Sequence, residues 1–524
     1  MTIHEETAFE VLQADGLPGI LVSNRPLRAI TTDALHYLTQ AQVPLYVRHG
    51  QLVRIQCREE GTPYIETLNE AALKGILARA MNFAKMMNGR PQHIPPPDNV
   101  CRDILALGTW SFPALDAVIE IPTLRPDGTL IDQPGYDAAT HLVYIPAPHL
   151  EVRPIPFEPT REDIHAAIAL IDEAIGEFPF SGGASYANAF ALLLTPLIRQ
   201  AINGHVPLAL IDATRPGTGK TLLAELVATV ATGRAAALMA APNDEDEWRK
   251  RIASTLADGA TIIIIDNLQG RLRSASLNLA LTSHTVKERI LGQSKNGTYA
   301  QRATWMVTGN NIQIGGDLPR RCYWIRLDSL TDKPWTRGGF RHNLAEWVPA
   351  HRGVLIAALL TIARAWYAAG RPHTSVLRVG SYQAWVDTIG GILAYAGIPH
   401  FLGNLATLHE QADDEAIQWS AFLHAWYDRY QDREVLVAVV VRDITSGSCM
   451  DLASALPDEL ADIHKGDLKR RLGKALAQRV GSRYDESGLR LLRASINRRS
   501  GAVYWKVTGM QVSQVSRPQK SEME

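Results

Sequence analysis

Residues Pro207 to Thr221 read PLALIDATRPGTGKT. Leu208-Ala209-Leu210-Ile211 is a short apolar run that predicts a buried strand. A turn punctuated by Pro216, Gly217 and Gly219 follows. Lys220-Thr221 then opens Leu222-Leu223-Ala224-Glu225-Leu226-Val227, apolar at helical spacing. Strand, glycine loop, Lys-Thr and helix is the context of a phosphate-binding P-loop. Gly217 and Gly219 let backbone N–H groups turn inward around a polyphosphate, because glycine takes the needed dihedrals freely. Lys220 is placed to reach the β- and γ-phosphates, Thr221 offers a hydroxyl to Mg²⁺, and the new helix points its positive end at the anion. The expected nucleotide-binding set is Pro216, Gly217, Thr218, Gly219, Lys220, Thr221 and Leu222. One position departs from the common pattern, which opens on Gly; here it is Thr214.

The rest of the chain sets bounds on what such a loop serves. Its 524 residues suit about three or four domains. Composition is that of a globular protein, 46% hydrophobic and 20% charged, with a formal net charge of -1. That charge excludes a polycation, so nucleic-acid binding would use local basic elements or an assembled channel. Cys57, Cys101, Cys322 and Cys449 stand far apart without a CxxC pair. This spacing argues against zinc or disulfide frameworks and fits a reducing cytoplasm. The start, MTIHEETAFE, lacks the apolar core of a signal peptide. Val354 to Ala369 is apolar but short and carries Arg364, so a core helix is expected and no membrane.

Residues 1–150 read as a mixed α+β domain without a catalytic cluster. A helix is expected over Thr32–Gln40 and a hairpin over Pro44–Ile55, with strands at 118–121 and 142–145. Leu73, Ile76, Leu77, Ala80, Met81 and Ala84 share one helical face. Arg48 and Arg54 on the hairpin are solvated arginines or contacts for nucleic acid. Five prolines between Pro146 and Pro159 mark a linker. Thr160-Arg161-Glu162-Asp163 reads as a capping box that starts a helix through Ile175, and a second helix is expected over about 186–202.

Beyond the P-loop, Ala235–Met239 predicts a strand and Asn243–Glu247 the acidic first turn of a helix through Leu256. Thr261-Ile262-Ile263-Ile264-Ile265-Asp266-Asn267 predicts a central parallel strand buried on both faces. Asp266 at its end is where a Mg²⁺-organising carboxylate belongs. Asn296-Gly297 predicts a hairpin turn with Lys295 at its tip. Thr304–Thr308 is a strand leading to Gly309-Asn310-Asn311. Leu318-Pro319-Arg320-Arg321 precedes another strand, Tyr323–Leu327. Helices are expected over 342–348 and 352–369, and over about 414–510 come helices followed by two strands around a basic turn.

In this order the chain resembles AAA+ ATPases of the superfamily 3 and MCM-like helicases. It resembles more closely the helicase part of replication proteins carried by phages, plasmids and genomic islands. Pro216-Gly217-Thr218-Gly219-Lys220-Thr221 matches the MCM-like loop. Gly380-Ser381-Tyr382-Gln383-Ala384-Trp385, Gly390-Gly391-Ile392-Leu393 and Phe401-Leu402-Gly403-Asn404 resemble the region after the core in the phage group. The likeness covers about Thr160 to Asn404 well and the N-terminal region weakly.

The resemblance implies an α/β fold: an AAA+ P-loop ATPase core at 206–330 with a helical lid at 331–413. A mixed α+β N-terminal domain (1–150), for docking or as a DNA collar, and a linker with helices (151–205) precede it. Beyond the likeness, the residues themselves read as a helical segment with a C-terminal winged helix (414–510), for DNA or for protein docking, and a polar, disordered tail (511–524). The resemblance implies ATP and Mg²⁺ as cofactors, with Thr221 and Asp266 as metal ligands. The implied catalytic set is Lys220, Asp266, Asn267, Asn310, Arg320 and Arg321. Asn310 resembles sensor 1, with Asn311 as the alternative, and Arg320 or Arg321 resembles an arginine finger reaching a neighbouring subunit. Arg378 matches sensor 2 by position. Lys295 resembles the pore-hairpin lysine, while Lys469, Arg470, Arg471, Arg498 and Arg499 of the winged helix would contact phosphates. Partners so implied are single-stranded and forked DNA, further copies in a hexameric ring, and a primase or polymerase. Many relatives carry Asp-Glu where this chain has Asp266-Asn267, and an amide accepts no proton. Asp266 itself or a carboxylate from elsewhere, such as Glu247, must then polarise the water. Two functions stay open: an ATP-dependent DNA helicase in mobile-element replication, or an AAA+ origin-binding initiator or helicase loader that uses ATP as a switch.

Overall fold

The computed structural model describes residues 16–242, 244–289, 296–373, 377–412, 414–463, 466–482, 488–496 and 501–509. They form two compact units, one of Met1–Ile312 with Gly316–Asn404 and one of Gln313–Gly315 with Leu405–Glu524.

The centre of the first unit is a five-stranded parallel sheet. Helices α1 (Arg161–Ile175) and α2 (Gly183–Leu197) lead to β1 (Leu208–Ala213), and the glycine loop joins β1 to α3 (Lys220–Thr232). Next come β2 (Ala237–Ala240), α4 (Glu245–Ala257), β3 (Ile262–Leu268), α5 (Ala275–Leu281), β4 (Thr304–Asn310) and β5 (Cys322–Leu327). The spatial order is β2-β3-β4-β1-β5, with every neighbouring pair parallel. All six residues of β1 are buried, as are Ile262 to Ile265 of β3. Each such isoleucine stabilises the fold by about 1.5–3 kcal/mol, which is why these runs read as continuous apolar stretches. Mixed α/β architecture with a parallel sheet is therefore as the sequence predicts.

Local signals set several boundaries. The Thr160 side chain accepts from the Asp163 amide while Asp163 accepts from the Thr160 amide, so the expected capping box is formed. Asp244 caps α4 by accepting from the Glu247 amide. Two expected helices are instead one, α6 (Leu344–Ala368), which continues through Pro349. Only its length and composition suit a membrane, and 72% of its most apolar window is buried inside the protein. Arg352, near its start, donates to the carbonyls of Val230 and Ala231 at the C-terminal end of α3, where a cation is favourable. Helix α7 (Gln383–Ala396) packs against α6 and α2.

The N-terminal part carries helices Leu27–Gln40, Glu70–Ala80 and Asp98–Ala106 over short sheets. The expected hairpin is present as Leu45–Arg48 paired with Gln51–Cys57, and Pro63–Thr67 adds a third antiparallel strand. Met81 and Ala84 leave the helical face predicted for them. The helix stops at Ala80 and the chain turns into strand Asn82–Met87, which buries Phe83 and Ala84 beside Gly19–Leu21.

The hairpin after α5 is also corrected. Thr285–Arg289 pairs with Asn296–Ala300, and Gly297 lies opposite Glu288 within the ladder. Asn296-Gly297 is therefore strand, not turn. A side chain at Gly297 would meet the end of the Tyr299 ring, which would have to swing aside. Lys295 lies outside the described residues.

In the second unit, Trp419, Phe422 and Trp426 of helix Asp414–Tyr430 are buried in one core with Leu472, Leu476, Leu491 and Val507. Its antiparallel sheet runs in the order Val435–Leu436, Val503–Thr508, Arg490–Ile496. Helix Leu468–Gln478 begins where Asp467 accepts from the Lys469 and Arg470 amides.

Candidate functional site

The parallel sheet brings three strand ends together. The loop after β1, Asp266 on β3 and Asn310 on β4 all lie at the C-terminal edge, where open α/β sheets bind ligands. Strands β3, β4 and β1 are adjacent, and Ala213 pairs with Asn310 in register.

Gly217 has φ +76° and Gly219 φ +97°, conformations that other residues adopt at a cost. Space enforces the same choice. A Cβ on Gly217 would stand 2.9 Å from Trp335 Cβ, and one on Gly219 would stand 3.1 Å from the Phe178 ring. Thr218 is buried, with its hydroxyl on the Arg215 carbonyl at 3.3 Å. Thr214, which replaces the usual first glycine, donates to Asp328 at 3.0 Å, and Arg215 pairs with Asp332. The loop is thus tied to the segment that follows β5. Pro216 and Leu222 are exposed at its two ends.

Lys220 Nζ donates to Asn310 Oδ1 at 2.7 Å. Burial pushes its pKa down, and the carboxylates of Asp212 and Asp266 push back. Thr221 Oγ1 donates to Asp266 Oδ1 at 3.1 Å. Thr308 Oγ1 donates to the same oxygen at 2.6 Å and accepts from the Asn267 amide at 2.9 Å. Lys220, Thr221, Asp266 and Asn310 therefore form two linked pairs in one place.

Asn267 is exposed with φ +50°, where the β3–β4 register shifts. Asn311, with φ +48°, reaches back to the carbonyl of Thr214 at 3.5 Å. Asn310, not Asn311, faces Lys220. Glu247 is engaged by Lys250 and Arg251 on its own helix. Among the described residues it makes no hydrogen bond or ion pair with Lys220, Thr221 or Asp266.

The two arginines after β4 differ. Arg321 is bound within its own chain, to Asp317 and to the Asn278 carbonyl at 3.3 Å. Arg320 is exposed and has no hydrogen-bond or ion-pair partner among the described residues. Arg378 is likewise exposed, ahead of the short turn Gly380–Tyr382. In the second unit Lys469 and Arg470 are exposed. Arg471 instead donates to the carbonyls of Asp462 and Glu459 at 2.7 and 2.6 Å, which makes it a brace of the fold. Arg498 and Arg499 lie outside the described residues.

Sequence reasoning missed three features. Thr308 organises Asp266, and its place two residues before Asn310 on β4 puts both on one face. Asp212 is a buried carboxylate that accepts from the Ile312 amide at 3.0 Å and from Trp324 Nε1 at 3.3 Å. Burial pushes its pKa up. A single acid inside an apolar strand was the available signal. The third is a cavity of about 520 Å³ beside Gly217–Gly219, walled by Phe178, Leu222, Trp335, Phe340, His342 and Leu344. No sequence pattern announces it, because its walls come from the segment after α1, from α3 and from the stretch leading into α6.

These residues fit a magnesium nucleotide. The loop amides and Lys220 suit phosphate oxygens, and Thr221 with Asp266 offers the hydroxyl and single carboxylate Mg²⁺ takes alongside phosphates and water.

No family model and no curated protein matches the chain. Among solved structures it is similar to the apo A form of the NrS-1 C-terminal region, at 10% identity and TM-score 0.40, over 91% of this chain and 99% of that one. Another structure of that region gives 12% identity and TM-score 0.38 over 91% and 99% of the two chains. JCV helicase with a bound small molecule gives 15% identity and TM-score 0.21, over 48% of this chain and 72% of that one. At these identities and TM-scores the likenesses carry no argument about function.

Proposed function

We propose that the chain is an AAA+ ATPase of the superfamily 3 or MCM-like kind, working as an ATP-dependent DNA helicase in a ring around single-stranded DNA. One observation carries the reading: Lys220 bonded to Asn310 at 2.7 Å and Thr221 bonded to Asp266 at 3.1 Å, on three adjacent strand ends. The strand order β2-β3-β4-β1-β5 supports the AAA+ core, and α6 with α7 supports a helical lid. Helices packed on a three-stranded antiparallel sheet support a winged helix in the second unit.

In this reading the loop amides and Lys220 hold the phosphates. The base enters the aromatic cavity beside Phe178 and Trp335. Bound Mg²⁺ would neutralise phosphate charge and orient the γ-phosphoryl group. Thr221 and Asp266 hold it, while Thr308 fixes Asp266 in position. The Asn310 amide orients the attacking water. Arg320, without a hydrogen-bond or ion-pair partner among the described residues, is the better finger toward a neighbouring subunit, whereas Arg321 holds its turn together.

Strand displacement on a forked duplex, with ATP and Mg²⁺, tests the reading. ATP-dependent unwinding that is lost in Lys220→Ala is expected; ATP turnover without any unwinding contradicts it. That second result would favour the initiator or loader, for which the observation is Asn267. It is an exposed amide at the position of a catalytic carboxylate, and among the described residues Asp266 is the one acid hydrogen-bonded to Lys220, Thr221 or Asn310.

A further inference from the structure

We infer that the cleft between the N-terminal sheet and the base of the hairpin after α5 grips the phosphodiester backbone of single-stranded DNA. The inference rests on the helicase reading and adds to it a contact surface within the first unit.

The cleft holds a cavity of about 350 Å³, lined in part by Arg48, Arg58, Tyr64, Tyr299 and Arg302. Its charges do not balance. Arg302 pairs with Asp116 at 2.9 Å and also bonds Gln200. Arg48 feels the same carboxylate, yet its Nε is buried with no acceptor. Behind them Arg199 donates to the Ile202 carbonyl at 3.2 Å, and its Nε also lacks an acceptor. Burial and the nearby Arg302 push Arg199 down to about 10. Asp258 is the other acid lining the cavity. Three arginines thus line the cavity with two carboxylates, and Arg199 adds a further positive charge beside Arg302. A half-buried guanidinium without an acceptor is costly, and an anion entering the cleft removes that cost.

The neighbouring aromatics say what kind of anion. Arg58 sits over the Tyr64 ring at 5.7 Å, and Tyr64 is itself exposed. Tyr299 stands on the ribbon Asn296–Ala300, which runs from the cleft toward the hairpin connection. Arginines for phosphate beside tyrosine rings that reach solvent for bases is the pairing that single strands require. A free phosphate uses only the first half of it.

The test measures binding of a fluorescent dT30 oligonucleotide by the full chain across a salt series. Arg48→Gln and Arg58→Gln are measured beside wild type, with melting curves as controls. Each variant is expected to weaken binding about three- to tenfold and to flatten the log K against log salt slope by about 0.7. Arg58 is exposed, so Arg58→Gln carries the test alone if Arg48→Gln melts early. Wild-type affinity and slope in correctly folded variants would overturn the cleft while leaving the helicase reading intact. Competition by inorganic phosphate at the oligonucleotide's own phosphate concentration would overturn it in favour of a small-anion site. Failure of the wild-type protein to bind any oligonucleotide would overturn both readings.

Discussion

Lys220 and Arg320 are both exposed to a phosphate's reach in the proposed function, yet their surroundings are opposite. Lys220 lies in a closed network. Asn310 accepts from it, Asp266 and Asp212 act on its charge, and Thr221 beside it bonds Asp266. Arg320 stands at the end of a short turn with no partner in its own chain among the described residues, while Arg321 next to it is fully engaged. A cation that serves its own chain's nucleotide is held by that chain. One that serves another chain's nucleotide must be left free. The contrast divides the proposed site into a part complete in one subunit and a part that only assembly completes.

The sharpest way to break this division is Asp266→Asn. Removing the carboxylate bonded to Thr221 should lower Mg²⁺-dependent hydrolysis by about a thousandfold while ATP still binds. Normal hydrolysis in a turnover assay would show that another group organises the metal. Arg320→Ala comes next. About a thousandfold loss is expected if it acts on a neighbour's nucleotide, whereas Arg321→Ala should mainly lower the melting temperature. Mixing Arg320→Ala with Lys220→Ala protein should restore part of the activity, since some mixed interfaces join an intact loop to an intact arginine. Absence of rescue in freely exchanging mixtures would place the arginine in cis. Thr308→Val should reduce turnover roughly tenfold by releasing Asp266, a loss of about one charge-assisted hydrogen bond. Trp335→Ala should be the mildest, weakening ATP about three- to tenfold through lost contact with the base. Equal weakening of inorganic triphosphate would instead assign Trp335 to the loop's own packing.

What the sequence disclosed follows from how far apart the cooperating residues lie. Loop, lysine and threonine are contiguous, because all belong to the single turn that joins β1 to α3. Asp266 was legible from the four isoleucines before it, which mark a strand buried on both faces. Asn310 followed from the next strand's end. Thr308, Asp212 and the aromatic cavity were not, since each gains its meaning from partners on other elements. Asn296-Gly297 misled because the ladder extends past it: both residues pair with the facing strand and do not turn the chain. Likewise Arg471 looked like its neighbours Lys469 and Arg470 until its guanidinium was seen on two backbone carbonyls. Charge alone does not separate a brace from a contact.

The most direct test of the central claim is steady-state ATP hydrolysis by Lys220→Ala beside wild type, with Mg²⁺ and with matched melting curves. Wild-type turnover that falls by a hundredfold or more in the variant, about the cost of removing a main transition-state donor, is the predicted result. Hydrolysis at the wild-type rate would mean that the loop after β1 is an ordinary strand-to-helix turn, and the proposed ATPase would fall with it.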